Sequence, residues 1–196
     1  MKMTSKIGIS IMVLLGALLA GPHNAPAEED DTIYLAQYRR GAPAPGLSTD
    51  TYTDRKNGYS IIPPGGWYQD SKTRRFLVRF SSRDYHAFLM VDAVPVEKEV
   101  KLDTELIDFI TAQTDQVKKK INTFQVLNSA NTTLNRQPAY LTEASFTAGP
   151  NLVLMNIYYI PAGKVVYMVT FTYPEAEKNL YERVLKSSAG TFAVLP

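Results

Sequence analysis

His86 is the one histidine beyond residue 27, and Asp84 stands two positions before it. On a strand, residues at i and i+2 point to the same face, so the pair would share a surface. An imidazole beside a carboxylate can pass a proton or hold a divalent cation. Both uses need more than the pair supplies. A nucleophilic relay needs a serine or cysteine at the histidine. The chain has no cysteine and no Gly-x-Ser-x-Gly turn, so no catalytic residue is assigned and no enzyme is expected. Zinc sites take three or four His, Cys or carboxylate ligands. Asp92 and Glu97 lie further along without completing such a set, which leaves Asp84 and His86 as a weak metal pair beside a plainer reading as surface polar residues. Asp103, Glu105 and Asp108 cluster as well, and a helix start explains them through capping and the dipole. Gly65-Gly66 is not followed by Lys-Ser/Thr, so it is no phosphate loop, and no cofactor is expected.

Aromatic residues suggest binding instead. Trp67, Tyr68, Tyr158, Tyr159, Tyr167 and Tyr173 fall on strands or strand ends that should be neighbours. Tyr158 and Tyr159 are consecutive, so on a strand they face opposite ways, and one should leave the core if the other enters it. An exposed aromatic among charges is a typical anchor for a protein partner. Trp67, Tyr68 and Tyr159, with Tyr34 and Tyr38 of the N-terminal segment, are therefore the candidate binding residues. The alternative is a small-ligand carrier, with Met90, Met155 and Met168 lining an apolar pocket between sheet and helices.

The elements that must position these groups are legible in outline. Thr51–Thr53 and Tyr59–Ile62 should pair across Asn57-Gly58, a pair suited to a two-residue type I′ turn. Residues 76–80 alternate like a half-buried strand, 85–94 form a longer one ended by Pro95, and 124–128, 139–146, 152–160 and 165–173 supply the rest. Gly149-Pro150-Asn151 and Pro161-Ala162-Gly163-Lys164 join the last three as hairpins. A first helix, capped by Asp103, carries Leu106, Ile107, Ile110, Val117 and Ile121 on one stripe. A second starts at Pro174, presents Leu180, Tyr181, Val184 and Leu185, and stops at Gly190. The result is an α+β fold, with an antiparallel sheet of six to seven strands flanked by helices.

Tyr52, then Asn57-Gly58-Tyr59-Ser60-Ile61 running into Pro64 and Trp67, a middle helix, Leu134–Tyr140, and Val166–Phe171 followed by a closing helix make up an ordered pattern. That pattern resembles the PsbP-like family over essentially all of residues 51–196. The fold of that family is shared by an extrinsic photosystem II protein, a nuclear Ran-release factor and bacterial DcrB-type envelope proteins. The resemblance implies an α/β/α sandwich and a non-catalytic binding or assembly role, and it carries over no partner.

Residues 1–27 read as a secretory signal peptide: Lys2 and Lys6, then 15 largely apolar residues from Ile7 to Gly21, then Ala25-Pro26-Ala27. Such a stretch reaches about 22 Å as a helix, short of the ~30 Å hydrocarbon core, so cleavage is expected over anchoring. Without a cysteine the chain is not a lipoprotein. Residues 28–50 read as an acidic and Pro/Gly-rich arm, and 51–196 as a single domain. Of 21 basic and 19 acidic side chains, the leader holds two lysines and no acids, so the remainder is neutral. Neutrality disfavours nucleic acid or an anionic membrane as partner. A domain of about 150 residues buries roughly 68–70% of its unfolded surface, enough for a core without disulfides. The expectation is a periplasmic or secreted, non-enzymatic domain that binds an envelope protein.

Overall fold

The computed structural model of the chain describes residues 46–70, 76–101 and 104–196. The expected leader, the Tyr34 and Tyr38 segment and the Asp103 cap lie outside those residues. The strands are β1 (Tyr52–Asp54), β2 (Tyr59–Ile61), β3 (Tyr68–Asp70), β4 (Val78–Ser81) and β5 (Phe88–Pro95), then β6 (Gln125–Leu134), β7 (Gln137–Ala148), β8 (Asn151–Ala162), β9 (Val165–Pro174) and β10 (Ala193–Val194). Helix α1 (Thr104–Lys118) follows β5, and α2 (Lys178–Ala189) follows β9 after a short 3-10 turn. Seven strands form one antiparallel sheet in the order β3-β4-β5-β9-β8-β7-β6, and β1-β2-β10 form a small second sheet. The α+β sandwich expected from the sequence is the fold observed. No helix among the described residues is long and apolar enough to cross a membrane.

Turn chemistry accounts for much of the topology. Gly149 and Gly163 have φ of 58° and 60° and open the two-residue turns that join β7 to β8 and β8 to β9. Glycine at the first central position is what a type II′ hairpin requires. The Asn57-Gly58 pair behaves differently. Asp54 pairs with Tyr59, so the connection spans four residues, and of these only Gly58, at 71°, takes positive φ. The Asp54 carboxylate stabilises this longer loop by accepting from the Asn57 amide at 3.0 Å and from its side chain at 2.7 Å. The type I′ conformation falls instead at Asn135-Arg136, where φ is 46° and 64° and Leu134 pairs with Gln137. Arginine there bears the left-handed strain that glycine avoids. Arg136→Gly should therefore raise stability by about 0.5–1 kcal/mol, the relief of strain exceeding the entropy added to the unfolded chain. Urea unfolding checks this; a lowered midpoint would mean that the arginine stem makes contacts worth more than the strain.

Both faces of the large sheet are covered. Val78, Phe80, Leu89, Val169, Phe171 and Tyr173 pack with Tyr181, Val184 and Leu185 of α2, and Tyr59 and Ile61 of the small sheet, with Phe192 just before β10, close the same side. Met90, Ala144, Met155, Ile157, Tyr159 and Met168 pack with Leu106, Phe109, Ile110 and Val117 of α1 on the other. The dilemma expected for Tyr158 and Tyr159 therefore disappears. They do face opposite ways, but each meets a covered face, at 8% and 2% exposure.

Several local expectations are corrected. On α1, Phe109 and Gln113 join the buried stripe, while Ile107 is exposed. Pro174 ends β9, and α2 begins at Lys178. Residues 46–48 are not free arm: the Ser48 amide donates to Pro63 O and the Gly65 amide to Gly46 O, both at 2.8 Å. Phe76 joins the α1 side, while Val78 and Phe80 face α2.

Candidate functional site

Asp84 and His86 are not on a strand. They lie in the turn 82–87 between β4 and β5, and the Ser82 hydroxyl organises that turn. It donates to Asp84 Oδ1 at 2.5 Å and accepts the amides of His86 and Ala87 at 3.1 and 3.0 Å. Backbone bonds from the Ser82 amide to Ala87 O and from the Tyr85 amide to Ser82 O, both 2.9 Å, close the loop. The turn forces Tyr85 to φ 57°. A bulky residue in the left-handed region is strained, and such strain persists only where the surroundings over-determine it.

The Asp84 carboxylate is held from several directions. The Tyr181 hydroxyl on α2 donates to both oxygens, at 2.9 and 3.1 Å, and the His86 amide donates at 3.2 Å. Burial works to raise the carboxyl pKa, but the bonds from Ser82, Tyr181 and the His86 amide outweigh it and hold the group below its ordinary value. Burial, followed by the bond to Asp84, pushes the Tyr181 phenol well up. His86 Nδ1 lies 3.1 Å from Glu177 Oε1 and 3.7 Å from Asp84 Oδ2. Glu177 ends the 3-10 turn before α2. No local signal marks it, because 91 positions separate it from His86 and an acid at a helix start has an ordinary explanation in the dipole.

Trp67 and Tyr68 converge on the same place. Trp67 is partly buried and meets Tyr181 edge-on, with ring centroids 6.0 Å apart at 80°. It is thus a packing residue that braces the tyrosine holding Asp84. Tyr68, at the start of edge strand β3, stacks on Tyr85 with centroids 6.0 Å apart at 19°. These two rings stay 51% and 49% exposed. Arg83 stands beside them, its Nε donating to Gly66 O at 3.4 Å. Four of the residues singled out from sequence, Trp67, Tyr68, Asp84 and His86, are thus brought into one locality, and Tyr85, Tyr181 and Glu177 complete it.

Tyr159 is not there. It is buried against Phe109 on the α1 side, centroids 6.4 Å apart at 82°, and cannot meet a partner. Tyr34 and Tyr38 lie outside the described residues. Met90, Met155 and Met168 are 1–2% exposed and fill the core under α1. An open groove of about 520 Å³ does lie between β6–β8 and the start of α2, lined among others by Leu127, Glu143, Leu154, Asn156 and Glu182. Of the three methionines, Met155 alone borders it, and two of its acids are engaged: Glu143 accepts from Asn128 and Asn156, and Glu182 from Lys186.

No family model matches the chain, and no curated protein matches it in sequence. Solved structures do match its fold. Cyanobacterial PsbP (CyanoP) from Synechocystis superposes with a TM-score of 0.59 at 18% identity, covering 89% of this chain and 99% of that one. The Ran-binding protein Mog1p of Saccharomyces cerevisiae gives 0.54 at 12% identity, covering 76% and 97%. A protein from Bacteroides thetaiotaomicron gives 0.53 at 10% identity, covering 77% of this chain and 49% of that one. The fold is PsbP-like, as the pattern from Tyr52 to the closing helix implied.

Proposed function

We propose that the chain is an exported accessory domain of the bacterial envelope that binds another protein and carries out no reaction of its own. The carrying observation is the stacked pair Tyr68–Tyr85, about half exposed, with Tyr85 strained to present its ring. Aromatic rings anchored on a rigid turn, with an arginine beside them, have the composition of an interface hot spot. Mog1p, which shares the fold, is a Ran-binding protein, so protein binding is one use to which this architecture is put. The leader-like first 27 residues and the neutral remainder support export and disfavour nucleic acid as the partner.

The test is crosslinked capture from the envelope of the native organism, with the purified protein and a Tyr68→Ser/Tyr85→Asn variant as baits. Asparagine tolerates the left-handed backbone at position 85. The native bait should retain one stoichiometric partner. The variant should retain at least about tenfold less of it, as expected when hot-spot rings are removed, with an unchanged circular dichroism spectrum. Equal capture by both baits removes the tyrosine pair as the interface. A native bait that returns alone overturns the protein-binding reading.

A further inference from the structure

Asp84, His86 and Glu177 each place one ligand atom within 4.8 Å of the other two. We propose that these three side chains form a binding site for a divalent first-row cation, best matched to zinc. His86 Nδ1 faces both carboxylates, at 3.1 Å from Glu177 and 3.7 Å from Asp84. Tetrahedral zinc with bonds of about 2.0–2.1 Å keeps its ligand atoms roughly 3.4 Å apart. The two distances from Nδ1 bracket that spacing, and the carboxylates, within 4.8 Å of each other, close on the ion by side-chain rotation. The position it takes lies between Nδ1 and the two carboxylates.

Donor chemistry selects the ion. One imidazole with two carboxylates suits zinc, while calcium prefers six to eight oxygens and magnesium an octahedral, largely hydrated shell. An outer layer of bonds is already in place. Ser82 and Tyr181 aim the Asp84 carboxylate, and Trp67 braces Tyr181. Bonds of this kind orient metal-binding carboxylates and tune their affinity. The His86, Asp84 and Glu177 side chains remain 41%, 23% and 31% exposed, so an ion can enter, and a fourth coordination position stays open to water or to a donor group of another protein.

Isothermal titration of zinc chloride into the purified protein tests the site independently of any partner. The expected result is one zinc per chain with micromolar affinity. His86→Ala and Glu177→Gln should each weaken binding at least about tenfold, and Tyr181→Phe, which leaves all three ligands but frees Asp84, by about tenfold. His86 and Glu177 are surface groups whose replacement leaves the core intact, and circular dichroism confirms that each variant is folded. Absence of heat at millimolar zinc, or binding that survives both His86→Ala and Glu177→Gln, overturns the proposal.

Discussion

Tyr159→Ala is expected to destabilise the domain by about 3–5 kcal/mol, the usual cost of truncating a fully buried aromatic. Tyr159 is 2% exposed, sits mid-strand between Tyr140 and Met168 as cross-strand neighbours, and meets Phe109 of α1 edge-on. Removing the ring opens a void beneath α1, between Phe109 and the methionines of the sheet, and the rigid sheet cannot collapse into it. Domains of this kind are stable by roughly 5–15 kcal/mol, so the loss is a large fraction of the whole. Tyr68→Ala, at the exposed edge, should cost less than about 0.5 kcal/mol. Urea unfolding monitored through Trp67, the single tryptophan, gives both numbers. Comparable midpoints for the two variants would mean that Tyr159 is not the core residue described above.

That contrast also shows what could and could not be read from the residues. Period and turn residues carried the fold a long way: the three-strand meander, the two helices and the α+β class follow from local patterns. Alternation tells which residues share a face of a strand. It cannot tell whether the second face is covered, and so it opposes Tyr158 to Tyr159 although both are buried. The Asn57-Gly58 turn departs from the type I′ expectation for a similar reason. The Asp54 side chain captures the Asn57 amide and lengthens the loop, an interaction that dipeptide preference does not include. Strands β3 and β10 are two or three residues long and have no periodicity to detect; they exist because a neighbour offers an edge.

The candidate site divides along the same line. Asp84 and His86 were visible as a pair, but on the expectation of one strand face. The structure places them in a turn, where hydrogen bonds to the Ser82 hydroxyl make them converge. Glu177 and Tyr181 come from the far end of the chain, and Tyr85 from the same turn as the pair. Nothing local distinguishes Glu177 from Glu175, or Tyr85 from other tyrosines. Only the packing of α2 against the β4–β5 turn does so.

Asp92→Asn is expected to stabilise the domain by about 2 kcal/mol at pH 7, and to do so in a pH-dependent way. Asp92 lies on β5 opposite Met168, facing the α1-side core with Met90 and Val94, and is 8% exposed. Burial pushes its pKa from the ordinary 3.8 up to about 6, against which works the bond its carboxylate accepts from the Ala93 amide at 2.8 Å. Between those two pH values the folded state holds a proton that the unfolded chain has released. The contribution of Asp92 to stability must then fall as pH rises from 3.8 to 6 and stay lower above, by up to about 3 kcal/mol for a shift near two units. Asp84 acts with the opposite sign. Its lowered pKa stabilises the fold above the unfolded value and is lost only as pH falls below it, outside the Asp92 window. Asparagine keeps the shape of Asp92 and an acceptor for Ala93, without a charge to desolvate. Urea midpoints at pH 4, 5, 6 and 7 should therefore converge for the two proteins at the acid end and diverge toward neutrality. A difference between the two proteins that does not grow from pH 4 to 7, or a variant less stable at pH 7, would show that the buried Asp92 charge carries no such cost.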